Sequence, residues 1–164
     1  CSESIDVAGD VFTDDIRNYM RQNHNIRIGE RTAEDIKIAI GSAITELDDE
    51  PEDFVVTGPN LVTALPTTVT LSYSEIAYAL EKSLVKVDAA VMKVLESVPP
   101  ELYSDVYKKG VYMAGGGALI KGLAKRLSDK CDIPFIVTED PLRAVARGTG
   151  IALKNINKFS FLMK

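Results

Sequence analysis

The sequence is poor in the residues that most often carry enzyme chemistry. Among 164 residues there is one histidine, His24, and there are two cysteines, Cys1 and Cys131. The cysteines form neither a metal-ligand spacing nor a framework of bridges, which fits a reduced, cytosolic setting. No GxxxxGK[ST] loop, GxGxxG fingerprint, GxSxG, HExxH or paired CxxC is present, so hydrolase triads and zinc sites have no support. No apolar run approaches the roughly 20 residues of a membrane span, and CSESIDVAGD lacks the basic and apolar regions of a signal peptide. The opening is like mid-protein sequence, without Met and almost inside a strand, so a fragment of a longer protein is expected. Positive charge is outnumbered, with 19 Lys and Arg against 24 Asp and Glu. A formal charge of -5 and a pI near 5.0 argue against nucleic acid or an anionic membrane as the main partner.

What is present is ordinary globular material. Hydrophobic content of 46% with 26% charged residues excludes wholesale disorder. The length fits one domain, or two small subdomains around a shared framework. Residues 4–8 alternate like the end of a strand, and Gly9 and Asp10 break it. Phe12, Ile16, Tyr19 and Met20 then fall on one helical face up to about Gln22, with Asp14 and Asp15 in the first turns. His24 lies in the polar stop that follows and has no acidic or cysteine neighbour in sequence, so it reads as a solvated loop residue rather than a catalytic base. Thr32 and Asp35 imitate a capping box opening a helix over residues 33–42, with Ile36, Ala39, Ile40 and Ala43 as its buried stripe. Ala33, Glu34 and Lys37 share another face, where the residues alone suggest an exposed i, i+3 ion pair.

Residues 47–53 are acidic and predict a solvated loop. Residues 54–57 and 69–71 are short strand candidates separated by Gly58, Pro59, Asn60 and Pro66; with the Thr32 helix they predict a small mixed sheet. Ser72 and Glu75 form a capping box before a long helix whose stripe runs from Ile76 through Leu80, Leu84, Val87 and Val91 to Val98, ended by Pro99 and Pro100. A shorter helix over 101–109 follows, and Met92 and Met113 take core positions. Residues 111–114 predict a short buried strand, residues 120–130 a helix, and residues 135–137 a second strand. Asp140 and Pro141 predict an N-cap and first turn for the last helix. Gly148 and Gly150 interrupt that helix, which suggests close approach of another backbone. The apolar tail of residues 159–163 suits either packing on the body or a contact peptide. Acidic pairs such as Asp14 with Asp15 and Asp48 with Asp49 read as solvated faces rather than a metal site.

The most informative stretch is Gly115, Gly116 and Gly117 after the first of these strands. Leu119, Leu123 and Leu127 resume at helical spacing beyond it. Strand, glycine turn and helix suit a flat ligand group packing on bare backbone near a helix N-terminus. They equally suit a tight turn whose glycines only let the helix fold back on its sheet.

Several blocks together resemble one family. MAGGGALIKGL, VAGDVFTDDIRNYM, IGERTAEDIKIAIGSA, VPPELYSDV and IPFIVTEDPLRAVARGTGIAL resemble, in order and over nearly the whole chain, the MreB family of bacterial actin homologues, the rod-shape-determining proteins. The resemblance implies an α/β fold of the actin-like ATPase type, the chain supplying most of its second, ribonuclease H-like half. That half would be an incomplete, mainly parallel sheet with helices plus a small inserted α+β subdomain. Residues 1–28 and 72–164 would form the framework and residues 29–71 the insert. The family's adenosine would lie between Ala33, Glu34, Asp35, Ile36 and Lys37 on one side and Gly115, Gly116, Gly117 and Ala118 on the other. Glu34 and Lys37 would contact base and ribose. The implied cofactor is ATP or ADP, with its Mg²⁺ held by the missing half.

The family's phosphate loops, metal-linked carboxylates and water-orienting residues have no counterpart here. The chain alone is therefore expected not to hydrolyse ATP, because phosphoryl transfer rests on positioning and charge stabilisation at the γ-phosphate. The expected partners are further copies of the protein in filaments, and cell-wall synthesis and membrane morphogenesis proteins in the full-length context. Membrane contact would come only through the missing half, and the protein would be cytoplasmic, membrane-associated as filaments. A half sheet also leaves an unpaired edge, so some self-association is expected. The alternative is a fragment of another ATPase of the same superfold, chaperone-like or sugar kinase.

Overall fold

The computed structural model describes residues 2–156 and 158. Helix α1 (Gly9–Asn23) buries Phe12, Ile16 and Met20, four residues apart, against α2 (Glu30–Ile40) and α3 (Tyr73–Glu96). In α3 the buried stripe is Ile76, Leu80 and Leu84; beyond it Val87, Val91 and Leu95 are only partly covered. Strands β1 (Phe54–Pro59) and β2 (Pro66–Leu71) pair antiparallel from Phe54↔Leu71 to Pro59↔Pro66. After α4 (Pro100–Lys109), β3 (Val111–Met113) pairs in parallel with β4 (Phe135–Val137). The connection between them is a 3₁₀ turn (Gly116–Leu119) followed by α5 (Leu123–Cys131), which packs on β4. Helix α6 (Ala144–Lys154) closes the described chain. One continuous core joins Ile16, Ile36, Leu80, Leu123, Leu127 and Phe135, so it runs from α1 to β4, with α4 contributing only the partly buried Val106.

The parallel pairing matches expectation, but its strands are not fully buried, with Tyr112, Ile136 and Val137 exposed, and several other local readings are corrected. Residues 4–8 form no strand, and Ile5 is exposed. The small sheet is antiparallel rather than mixed. Gly58, Pro59 and Pro66 lie inside its strands rather than between them, as prolines can in a two-stranded sheet where every strand is an edge. Helix α2 starts at Glu30 with Gly29 as N-cap, so Thr32 is already helical. Ala33 is fully buried with Ile36 and Ile40, at i, i+3 and i+7, instead of sharing a face with Glu34 and Lys37. Met92 is exposed, and Leu119 sits exposed in the 3₁₀ turn rather than in α5.

Helix α6 begins after Asp140 and Pro141, not at them. Pro141 O accepts the N–H of Gly115 (2.8 Å), so that carbonyl closes the glycine turn. Among the described residues, nothing beyond the neighbouring backbone of their own helix comes within 4 Å of where a Cβ would stand at Gly148 or Gly150. The tail of residues 159–163 lies outside the described residues.

His24 is also not a free loop residue. Its Nε2 lies 2.5 Å from Glu75 Oε1, which also accepts from Tyr19 Oη at 3.0 Å, and its ring meets that of Tyr19 edge-on. Burial and then the Glu75 carboxylate push the Tyr19 hydroxyl up to about 12. The backbone half of the capping box forms, Glu75 N donating to Ser72 Oγ at 3.3 Å, while the Glu75 carboxylate holds α1 to α3 instead.

Candidate functional site

A cleft of about 1330 Å³ is lined on one side by α1 and α2 and on the other by β3, the glycine turn and α5. Its apolar wall includes Phe12, Val87, Val91, Met113 and Leu123. Its charged groups, Asp10, Glu30, Arg31, Glu34 and Lys37, come with Thr13 from the α1 and α2 side, and Tyr112 of β3 lies on the other. A mostly apolar concavity with a few convergent polar groups is the usual form of a small-molecule site.

The polar wall centres on a compact knot. Lys37 Nζ donates to Glu34 Oε2 (2.6 Å), Gly9 O (3.0 Å) and Thr13 Oγ1 (3.1 Å). An ammonium has three protons, and here all three have partners. The Lys37 side chain is only 12% exposed, whereas that of Glu34 is 45% exposed. Thr13, itself buried, shares its single hydroxyl proton between Gly9 O (2.9 Å) and Glu34 Oε2 (2.8 Å). Both bonds to Glu34 thus fall on one oxygen, and among the described residues the other receives none. The bond from Lys37 and then that from Thr13 hold the Glu34 carboxyl below its usual range, against a smaller opposing effect of burial. The knot therefore fixes an ionised carboxylate at the rim with one oxygen free to accept from a ligand hydroxyl or amino group.

The opposite wall is backbone. Gly115 has φ +87° and ψ 171°, a region essentially confined to glycine, so the turn itself requires it. Gly116 and Gly117 are different. A Cβ at Gly116 would meet only Leu142 Cδ2, at 3.6 Å, and one at Gly117 would meet nothing within 4 Å. Turn geometry accounts for the first glycine and internal packing for neither of the others.

Of the nine residues singled out from sequence, Glu34, Lys37, Gly116, Gly117 and Ala118 line this one cleft. Ala33 and Ile36 face the core, Asp35 is exposed away from the cleft, and Gly115 shapes the turn without lining it. Sequence reasoning missed Thr13 and Gly9, whose partners on α2 are 21 to 28 positions away. The available signal was a hydroxyl beside the apolar stripe at Phe12 and Ile16.

Behind the cleft lies a second charged group that sequence reasoning did not find. Arg126 Nε and Nη2 donate to Asp88 (2.8–3.2 Å), and Nη1 and Nη2 donate to Glu81 (2.6 and 2.8 Å). Nη1 also donates to Ala43 O at 3.0 Å, and Lys130 pairs with Asp88. Burial pushes the Asp88 carboxyl up, but the bonds from Arg126 and Lys130 prevail and hold it low. The Arg126 bonds hold Glu81 low as well.

Comparison with known proteins adds a lineage to this geometry. A family model described as MreB/Mbl protein matches residues 1–161. The cell shape-determining protein Mbl of Bacillus subtilis is 41% identical over 157 residues, covering 96% of this chain and 46% of the relative. The cell shape-determining protein MreB of Escherichia coli is 45% identical over 156 residues, covering 95% and 44%. The chain thus spans about half the length of the curated relatives it matches. Among solved structures, MreB5 of Spiroplasma citri bound to ADP is 39% identical, with a TM-score of 0.89 over 95% of this chain and 47% of that one. The same protein bound to AMPPNP gives 0.88.

Proposed function

The chain belongs to the MreB/Mbl family, and we propose that it forms the adenosine side of the nucleotide cleft in an actin-like, ATP-binding filament protein that sets rod cell shape. The family match displaces the sugar-kinase and chaperone-like alternatives. The observation that carries the adenosine reading is the pairing, across one cleft, of a fixed carboxylate with the exposed glycine backbone of Gly116 and Gly117. Residues 1–28 and 72–164 act as its framework and residues 29–71 as the insert that supplies α2.

The chemistry of each wall suits a nucleoside. The unbonded Glu34 oxygen accepts from the ribose hydroxyls, much as an acidic residue does in dinucleotide folds. Lys37 lines the cleft with its stem and keeps Glu34 ionised rather than offering a free donor. The bare backbone at Gly116 and Gly117 admits a flat base without Cβ contact, and Ala118 closes the turn with a small side chain. ATP or ADP bound here points its phosphates away from the knot, whose only rim charge is negative, toward groups outside this chain. Any Mg²⁺ accompanying the nucleotide would be held at that end by groups outside this chain. Subunits assemble into cytoplasmic, membrane-associated filaments that organise cell-wall synthesis, and the open edges of the β3–β4 pair supply one route to self-association.

The test is titration of the intact protein carrying this sequence with ADP, by calorimetry, before and after Glu34→Gln. Saturable binding that weakens about tenfold in the variant is expected, since a hydrogen bond to a charged acceptor is worth that much. Undiminished affinity in Glu34→Gln would remove the ribose role, and no binding by the parent would remove the nucleotide reading.

A further inference from the structure

We propose that Lys121 is the positioning residue that sets the spacing between the two walls of the cleft. The binding consequence rests on the nucleotide reading above; the spacing itself does not. Lys121 stands three residues after Ala118, on the chain leaving the glycine turn. Its backbone forms a parallel bridge with Ser42: Lys121 N donates to Gly41 O (3.1 Å) and Lys121 O accepts from Ala43 N (2.8 Å). The fully buried Ser42 adds a bond from its hydroxyl to Lys121 O (3.3 Å).

The side chain then reaches back along α2. Lys121 Nζ donates to Ala39 O (2.7 Å) and Ile38 O (3.3 Å), carbonyls of the last turn that have no partner within the helix. A cation at a helix C-terminus also meets the negative end of the helix dipole. Ile38 directly follows Lys37 of the polar knot, and Ile38 itself lines the cleft. One residue therefore fastens the end of the α2 wall to the end of the glycine wall, with Lys37 one position from Ile38 and Ala118 three positions from Lys121.

The next residue locks the joint. Gly122 has φ +71°, and a Cβ there would stand 2.5 Å from Ile44 Cγ1, so the backbone of the clip lies directly against the segment that leaves α2. Arg126, one turn into α5, seizes Ala43 O from the other side. Among these ties only the Lys121 side chain acts on α2 itself, and it does so through a charge. Losing it leaves the bridge in place but frees the last turn of α2, and with it Lys37 and Glu34, to move relative to the glycines. A protein whose binding-competent spacing is only partly populated binds more weakly by that fraction.

Lys121→Met and Lys121→Arg in the intact protein provide the test, each on a background in which every native cysteine, Cys1 and Cys131 among them, is replaced by serine. Spin labels at Asp35→Cys on α2 and Ile136→Cys on β4 report the spacing by pulsed dipolar spectroscopy, and ADP is the ligand. Lys121→Met is expected to broaden the distance distribution and to weaken ADP about tenfold, while Lys121→Arg, which keeps charge and donors, restores both. A distribution as narrow in Lys121→Met as in the parent would overturn the proposal, whatever the affinity. So would a broadened distribution with unchanged ADP binding, because spacing would then not govern the site. Should the parent bind no ADP, the nucleotide reading fails, and the distance distribution alone decides whether Lys121 sets the spacing.

Discussion

Replacing Gly117 by alanine separates a packing glycine from a ligand glycine, because the two roles demand opposite effects on the free protein. Gly117 has no positive φ, and the added Cβ would meet nothing within 4 Å. The change therefore brings no strain and no clash, and it reduces the freedom of the unfolded chain. Stability of the ligand-free protein should rise by roughly 0.4–1 kcal/mol. The methyl group then occupies space into which a nucleotide base would pack, so ADP affinity should fall at least about tenfold, or about 1.4 kcal/mol. Gly115→Ala is the internal control: at φ +87° it should cost about 1–3 kcal/mol of stability. Urea unfolding without ligand, paired with ADP titration, reads both quantities. A Gly117→Ala protein that is destabilised yet binds ADP normally would refute the reasoning and return the triple glycine to a folding role.

Two further changes probe the charged groups. Thr13→Val keeps shape but removes one partner each from Lys37 and Glu34 in a nearly buried knot, so it should cost about 1–2 kcal/mol. It should also let the Glu34 carboxyl move back up toward its ordinary range, readable by NMR titration; an unmoved Glu34 would show that Thr13 contributes nothing there. Asp88→Asn leaves Arg126 facing a neutral group at a 5% exposed position and should cost about 3 kcal/mol, measured by denaturant midpoint. Asp88 and Glu81 are both held below their ordinary values in the folded state. Their contribution is thus present above about pH 4, the unfolded carboxylate value, and is lost as pH falls through the lower folded values. Asp88→Asn should flatten that acid loss; an unchanged acid profile would place the stabilising charge elsewhere.

What was legible in the sequence was periodic or local. Helices α1 and α3 followed from apolar residues four apart, and β3 and β4 from short apolar runs bounded by glycine and proline. Ser72 bonded Glu75 N as its spacing indicated. What was hidden depended on partners brought together only by the fold. His24 looked solitary because Glu75 is 51 positions away, and Arg126 drew no reading because Asp88 and Glu81 lie 38 and 45 positions back. Ala33 was misplaced because a small residue at i, i+3 and i+7 with two isoleucines carries little signal of its own. Glu34, Lys37 and the glycines were identified through family resemblance. Their residues alone favoured an ordinary ion pair and left an ordinary turn equally open, and only the shared cleft puts them opposite one another.

The bridge between Ser42 and Lys121 has a consequence for how the chain folds and breathes. It joins residues 79 positions apart, while the contacts between α1 and α2 close much shorter loops. Loop-closure entropy must be overcome before such a distant pairing yields any bond, so the helical layer of α1 and α2 assembles ahead of it. Read in reverse, the joint is a natural seam for sub-global opening. The amides of Ala43 and Lys121 would then exchange with solvent through an excursion that parts the two walls while Ile16 and Ile36 remain packed. On that view the cleft is the product of the final step of folding, and its walls can separate without the rest of the core coming undone.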